Sequence, residues 1–141
     1  MVLKIYFDAS FLVQSKEAGV SIIIKNEYGK LILKSSKKIK CNNNIEAEFR
    51  ALNKAVGYIN NKQLNNLIAK GCLIEIHGDC LSVIETSKKL QIIKGVEKCQ
   101  MIGFLKELRI LKSNNKVVFK WIRRNKNVEA HKESRAKLNL N

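Results

Sequence analysis

The sequence predicts an α/β domain in which helices cover both faces of a five-stranded mixed sheet. Three strand-like runs fill the first forty residues, an amphipathic helical stripe follows, and two later strand-like runs alternate with helical segments. This order implies an antiparallel meander extended by two parallel strands. With 141 residues, no Pro and only seven Gly, the chain fits one domain spanning residues 1–141.

The first three strands are predicted from side-chain alternation and turn chemistry. Apolar residues alternate with others over residues 2–8, as in a half-buried strand. Residues 19–25 form a second apolar run, and the turn residues 26–30 lead into a third strand that runs from residue 31 toward residue 40. The second and third strands therefore form a hairpin.

The remaining elements follow from capping signals and helical periodicity. Three consecutive Asn residues at 42–44 supply a loop and an N-cap for a helix that runs to about residue 59, and the polar residues 60–71 lead to the next strand. The later elements are a strand at 72–78, helices at 81–90 and 96–111, a strand at 116–122, and a final helix from the Asn127 cap to about residue 138. The apolar positions of the 96–111 helix include Ile102, Leu105 and Ile110.

The charge balance favours a polyanionic partner. Lys and Arg number 27 against 12 Asp and Glu, which gives a net charge of +15, and such a field attracts nucleic acid or an anionic membrane surface. No segment resembles a basic amphipathic membrane helix or reaches the roughly 20 apolar residues that cross a bilayer, so nucleic acid is preferred over a membrane. A Lys-rich surface that only reflects a genome rich in Lys, Asn and Ile is the open alternative.

Cysteine usage and the N-terminal segment predict a soluble, cytoplasmic protein. The N-terminus lacks the basic, apolar and small-residue regions of a secretory signal. The four Cys residues form no CxxC pair and no zinc-finger spacing, which favours reduced thiols.

Three acids occupy positions where carboxylates are costly. Asp8 and Asp79 each close a strand-like run, and Glu48 falls inside the apolar stripe of its helix, whose members are Ile45, Phe49, Leu52, Val56 and Ile59. Glu46, in contrast, is predicted on the polar side, where Arg50 can pair with it. A lone carboxylate in a core must be paired, protonated or bound to metal. A salt bridge from Glu48 to a Lys residue stays open beside a cation site.

Four fragments in this order resemble type 1 ribonuclease H over nearly the whole chain. The fragments are Phe7-Asp8-Ala9-Ser10, Asn44 to Leu52, His77-Gly78-Asp79-Cys80, and Trp121 to His131. The chain departs from the usual pattern at five positions: Ala9 replaces Gly, Ile45 replaces Asn, Cys80 replaces Ser, Glu133 replaces Leu and His131 replaces Asp. His at the fourth acid position is typical of the subgroup with short bacterial and plant-type members. The stretch 90–97 also leaves no room for the Lys- and Trp-rich protrusion that some family members carry.

The resemblance implies a monomeric, metal-dependent endoribonuclease that hydrolyses the RNA strand of RNA:DNA hybrids. Asp8, Glu48, Asp79 and His131 would be its catalytic and metal-binding residues, with two Mg²⁺ or Mn²⁺ ions and with Asp8 bridging them. As a softer ligand, His131 would move the metal preference toward Mn²⁺. It could instead hold a water, shuttle a proton or face solvent.

The resemblance also implies a set of substrate-binding residues, because a hybrid differs from DNA in its 2′-OH groups and groove shape. Asn43 and Asn44 would reach the minor groove, and Ser10 would offer its hydroxyl or backbone. Arg124 and Asn127 would contact phosphate or orient His131. For Asn127, plain helix capping is the alternative.

Two other functions remain open on the same fold. One is a nucleic-acid-binding protein whose nuclease site is weakened or lost, which the His131 substitution keeps in view. The other is a different metal nuclease such as a junction resolvase, against which the closing Arg124-to-His131 segment argues.

Overall fold

The computed structural model describes residues 1–90 and 95–139 and contains the predicted mixed sheet. The elements are β1 (Val2–Leu12), β2 (Glu17–Asn26), β3 (Leu31–Lys40), α1 (Asn44–Leu64), β4 (Leu73–Gly78), α2 (Leu81–Lys88), α3 (Lys98–Asn114), β5 (Lys116–Trp121), a 3₁₀ turn (Arg124–Lys126) and α4 (Val128–Ala136). The strand order is β3-β2-β1-β4-β5. β1, β2 and β3 pair antiparallel, whereas β4 pairs parallel with both β1 and β5. The predicted fold class is therefore confirmed.

β1 and α1 extend several residues beyond their predicted ends. β1 continues beyond residue 8 because its ladder with β2 extends to Leu12 opposite Glu17. α1 continues beyond residue 59 because polar side chains in its last turns find partners inside the fold. Asn60 donates to the Glu107 carbonyl at 2.8 Å, and Gln63 exchanges hydrogen bonds with Asn115. The first residues of the predicted linker, 60–64, are therefore the end of the helix, with Asn60 and Gln63 buried.

The main core lies between one face of the sheet and α1, with α3 packed beside α1. Phe49 of α1 meets Phe104 of α3 edge-to-face, with ring centroids 5.0 Å apart. On α3 the buried side chains are Met101, Phe104, Leu108 and Leu111. Ile102 and Ile110 are exposed, so two of the apolar positions noted in the sequence face outward. The α3 sequence contains two overlapping apolar stripes, and the contact with α1 determines which of the two stripes is buried.

α4 packs against the opposite face of the sheet at very short range. Ser21 of β2 donates to the Ala130 carbonyl at 2.5 Å. A Cβ added to Gly19 would lie 1.9 Å from the Ser134 carbonyl oxygen, so only glycine permits this approach. The contact brings the first turn of α4 over the middle of β1.

Two further features bear on the sequence-based expectations. All four cysteines are free, as predicted. Within residues 1–90 and 95–139, no helix has the length and apolar character needed to cross a membrane.

Candidate active site

Three carboxylates from separate elements meet at one edge of the sheet. Asp8 lies within β1, Glu48 lies in the first turns of α1, and Asp79 directly follows β4. Each contributes one carboxylate oxygen to a group whose members all lie within 4.8 Å of one another. β1 and β4 run parallel with Tyr6 opposite His77, which sets Asp8 and Asp79 at the same level of the sheet. The sequence-predicted acids therefore converge.

These carboxylates are buried and incompletely satisfied. Asp8 is fully buried and Glu48 is 2% exposed. Asp8 Oδ1, Glu48 Oε2 and Asp79 Oδ2 have no hydrogen-bond partner among the residues that the structure describes. Buried polar atoms normally have a partner, and no described Lys forms an ion pair with Glu48. The oxygens left open are the hard donors that Mg²⁺ and Mn²⁺ prefer.

Burial and the neighbouring acids strongly shift the pKa of the Glu48 carboxyl. Burial raises the pKa of the Glu48 carboxyl well above its ordinary value, and the negative charges of Asp8 and Asp79 raise it further. Without a cation, Glu48 therefore tends to hold a proton. A divalent ion in the cluster would reverse this tendency, because it stabilises the charged form of each carboxylate.

Asp79 experiences opposing influences. Burial raises the pKa of its carboxyl, as does the charge of Asp8, whereas a hydrogen bond from Asn127 and the positive charge of Arg124 lower it. The Arg124 guanidinium Nε lies 3.9 Å from Asp79 Oδ2, and its side chain is 68% exposed. The backbone of Asp79 is held by Trp121, whose indole N–H donates to the Asp79 carbonyl at 3.0 Å. Sequence reasoning missed this role of the only Trp, although its place at the end of the last strand was a usable signal.

His131 joins the cluster through Asp8. Its Nδ1 lies 2.8 Å from Asp8 Oδ2, and its side chain remains 27% exposed. The first turn of α4 carries His131 to this position because Gly19 allows the helix to approach the sheet closely. The predicted fourth site position thus lies beside the three carboxylates, and its contact with Asp8 is a hydrogen bond. It does not simply face solvent.

Asn127 is not a side-chain helix cap. It occupies the N-cap position of α4, but its side chain makes no capping hydrogen bond. The side chain is instead buried, and its Nδ2 donates to the Phe7 carbonyl at 2.9 Å. This bond ties the start of α4 to β1 one residue before Asp8. Asn127 therefore occupies the predicted N-cap position, but its side chain holds the start of α4 to β1 and does not cap the helix.

The other predicted substrate-binding residues differ in how freely they can reach a ligand. Asn44 is exposed at the start of α1. Asn43 caps α1 by accepting from the Glu46 amide, and its Nδ2 donates to the Gly95 carbonyl at 2.9 Å. The Ser10 hydroxyl is 2.8 Å from the Ser134 hydroxyl on the α4 side, so this hydroxyl is engaged within the fold.

Glu46 differs from the sequence-based expectation. It is 4% exposed, and its Oε2 accepts a hydrogen bond from the Asn42 amide at 2.9 Å. Arg50 instead donates to the Lys40 carbonyl at 2.8 Å. The prediction of a surface Glu46–Arg50 pair is therefore wrong, because the Glu46 carboxylate reaches back over the helix start to the Asn42 amide, while the Asn43 side chain accepts from the Glu46 amide.

Solved structures share this architecture over their full length. The chain matches LC11-RNase H1, solved in complex with an RNA/DNA hybrid, at 21% identity with a TM-score of 0.78, covering 97% of this chain and 96% of that one. It matches RNase H1 from the halophilic archaeon Halobacterium salinarum NRC-1 at 16% identity with a TM-score of 0.75, covering 99% and 98%. The N-terminal RNase H domain of a Mycobacterium tuberculosis protein gives 16% identity, a TM-score of 0.75, and coverage of 98% and 94%. At these identities the likeness establishes a ribonuclease H fold.

Family membership rests on a sequence match. A family model described as reverse transcriptase-like matches residues 6–136, which include all four predicted site positions. No curated protein gives a significant match to the chain. The chain belongs to the reverse transcriptase-like family and has the ribonuclease H fold.

Proposed function

We propose that this protein is a metal-dependent endoribonuclease that hydrolyses the RNA strand of RNA:DNA hybrids. The observation that carries the proposal is the convergence of Asp8, Glu48 and Asp79 within 4.8 Å of one another. Three acids this close together are unfavourable in a fold core, and the oxygens that lack a hydrogen-bond partner form a site for cations. Family membership and the ribonuclease H fold agree with this reading.

The residues present fit a pair of divalent cations. Bound Mg²⁺ or Mn²⁺ would supply an activated water and would neutralise charge on the phosphate undergoing cleavage. Asp8, the most buried of the acids, would help hold both ions, while Glu48 and Asp79 would complete the ligand set. The raised pKa of Glu48 favours cation binding at neutral pH over acid pH, because protons compete for the same oxygens.

His131 would act through its hydrogen bond to Asp8, and it would not take over the role of a fourth acid in the site. Its Nδ1 is engaged with Asp8 Oδ2, which fixes the ring and leaves the other nitrogen to hold a water or carry a proton. Bound directly to a cation through that other nitrogen, His131 would move the metal preference toward Mn²⁺. We assign the chain to the subgroup with His at this position on the same ground.

Substrate contacts would be divided between loops on either side of the acids. Arg124 is exposed beside Asp79 and would bind a phosphate, while the buried Asn127 holds α4 and orients His131. Asn44 would reach the minor groove. Asn43 would position this loop through its bond to Gly95, and Ser10 would contact the substrate through its backbone.

An RNA:DNA hybrid is the favoured substrate because both the positive charge of this protein and its fold support binding of a hybrid. The net charge of +15 favours a nucleic-acid partner, and LC11-RNase H1 was solved with an RNA/DNA hybrid. The protein would act as a monomer in the cytoplasm, and its four free cysteines agree with a reducing compartment.

Cleavage assays with labelled substrates test the proposal. Purified protein should cut the RNA strand of a hybrid in Mg²⁺ or Mn²⁺ and leave double-stranded RNA and DNA intact. Asp79→Asn should abolish cutting. Glu46→Gln is a matched control, because Glu46 is as buried as the site acids yet only serves the start of α1.

The outcomes separate the competing functions. Tight hybrid binding without cutting in either metal would favour a binding protein with an inactive site. Cutting of four-way DNA junctions in preference to hybrids would favour a resolvase. Activity that survives Asp79→Asn would place the chemistry elsewhere and end the proposal.

A further inference from the structure

A basic hollow lies between β3 and α1, on the part of α1 that follows the acid cluster. Its volume is about 330 Å³, and its six lining residues are Val20, Lys37, Ile39, Arg50, Asn53 and Lys54. Three of these described residues are cations and none is an acid. The hollow is therefore a concentrated positive site on a fold that is already strongly basic.

Two of the three cations of this hollow have neutral hydrogen-bond partners. Lys54 Nζ donates to the Ser35 hydroxyl at 3.3 Å, and Arg50 donates to the Lys40 carbonyl at 2.8 Å. Burial lowers the pKa of the Lys54 ammonium, and the positive charge of Lys37 lowers it further. An anion placed between them would relieve this repulsion.

The opposite face of β3 provides an internal comparison. There Lys34 pairs with Glu133 at 3.2 Å, and Lys38 pairs with Glu17 at 3.1 Å. Among residues 1–90 and 95–139, neighbouring lysines of β3 thus have carboxylate partners on the α4 side and none on the α1 side. A Lys-rich composition alone would not place carboxylate partners on only one face of β3. The face toward α1, where the lysines lack such partners, is therefore suited to bind an anionic ligand.

One hydrogen bond connects the hollow to residues near the loop that we assign to substrate binding. The bond from Arg50 to the Lys40 carbonyl links it to a second hollow of about 470 Å³, which is lined by Lys16, Lys40, Asn42 and Glu46 among others. The Glu46 carboxylate in that hollow is engaged by the Asn42 amide. Asn42 leads directly into Asn43 and Asn44, so the positive surface runs from the substrate loop along the outer side of α1.

We infer that Lys37, Arg50 and Lys54 form a phosphate-binding track that holds the nucleic-acid backbone outside the catalytic cleft. A guanidinium offers further N–H donors in a fork that matches phosphate oxygens, and the two ammonium groups act as point charges. The inference rests on the proposed function for the identity of its ligand, an RNA:DNA hybrid. The track would lengthen the bound segment of duplex and would add affinity without base specificity.

Binding measurements on two charge-matched variants test the track. Lys37→Gln, Arg50→Gln and Lys54→Gln are combined in one variant. The control combines Lys106→Gln, Arg109→Gln and Lys112→Gln, which removes the same charges from exposed positions on α3. Both are placed in an Asp79→Asn background, and affinity is measured across a salt series for hybrids of about 8 and about 24 base pairs.

The track variant should lose at least tenfold in affinity for the long hybrid and much less for the short one. The slope of log K against log salt is negative, and each lost phosphate contact reduces its magnitude by about 0.9. The loss of three contacts therefore reduces the magnitude of the slope by about 2 to 3. The control should keep the slope and lose less than threefold. Equal losses in both variants, or an unchanged slope in the track variant, would show a general charge effect and overturn the inference.

Two further measurements guard against folding defects and against a small-molecule ligand. If thermal unfolding shows that the triple variant is damaged, the single exposed-site change Lys37→Gln must still lower the slope by about 1. The Arg50 side-chain N–H signal in NMR should shift with micromolar hybrid and only with millimolar inorganic phosphate. Saturation by micromolar phosphate, with no shift from hybrid, would assign the site to a free phosphate compound and refute the track.

Failure of the track and failure of the nuclease proposal give different results. Binding is measured without chemistry, so a reduced slope in a protein that never cuts would preserve the track and remove the nuclease. Normal cutting by the parent protein together with an unchanged slope would preserve the nuclease and remove the track.

Discussion

Glu48→Gln should stabilise the metal-free protein and remove its stabilisation by divalent ions. The carboxylates lie within 4.8 Å of one another, and two full charges at that separation repel by ~3.5 kcal/mol at an effective dielectric constant of about 20. Because Glu48 already tends to hold a proton, only part of this repulsion is present at neutral pH. Gln keeps the shape and removes the charge, so we expect a gain of about 1–3 kcal/mol in the free energy of unfolding.

The raised pKa of Glu48 also predicts how the stability of the metal-free protein depends on pH. The pKa of the Glu48 carboxyl is raised in the folded state, so above about pH 4.3 the unfolded chain releases a proton that the folded protein retains. Stability should therefore fall as pH rises from there toward the folded-state pKa, since the folded state binds more protons. In Glu48→Gln this decline should be smaller.

Urea unfolding followed by circular dichroism, in EDTA and in Mg²⁺ or Mn²⁺, measures both effects. A cation present at 100 times its dissociation constant should stabilise the parent protein by about 2.7 kcal/mol and the variant much less. Glu46→Gln, altered two residues away in the same helix, should show neither effect. Destabilisation of Glu48→Gln in EDTA would mean that its carboxylate is favourably paired, and would refute the reasoning.

Three shorter predictions concern α4 and its contacts. His131→Asp should raise cleavage in Mg²⁺ relative to Mn²⁺, measured as the ratio of initial rates; an unchanged ratio would show that the ring does not influence metal choice. Gly19→Ala should lower the free energy of unfolding, measured in urea, by about 2 kcal/mol or more, because the new methyl group would meet the Ser134 carbonyl oxygen. Gly57→Ala is the control: a Cβ there has nothing within 4 Å, so the free energy of unfolding should stay the same or rise by up to about 1 kcal/mol. Asn127→Ala should cost about 1–3 kcal/mol by leaving a β1 carbonyl unsatisfied, and it should slow cleavage even where the protein is fully folded; a folded variant with normal rates would refute the positioning role.

Periodicity and turn chemistry were enough to predict the order of the elements and the unusual positions of the three acids, whereas the resemblance to type 1 ribonuclease H implied that the acids share one site. Asp8 and Asp79 each close an apolar run, and parallel neighbouring strands present such positions at the same edge. Glu48 was recognisable because it interrupts an apolar stripe at helical spacing. These signals are local, and each depends on only a few neighbouring residues.

Predictions failed where a side chain had a choice between surface and interior partners. Glu46 and Arg50 fit a surface pair by spacing, yet the capping interaction with Asn42 places Glu46 inside. Asn127 fits a helix cap, yet the Phe7 carbonyl is its acceptor. Such choices depend on contacts between residues far apart in the chain, which spacing does not encode.

The sequence alone determined the kinds of element, their order and the three acids, because hydrophobic spacing and the cost of burying charge act within a single strand or helix. Only the tertiary structure decided where α4 lies, and with it the position of His131 next to Asp8. The same is true of the division of β3 into an acid-paired face and an acid-free face. Both depend on how separate elements pack, since the close approach at Gly19 and the placing of α1 beside β3 are properties of the assembled sheet.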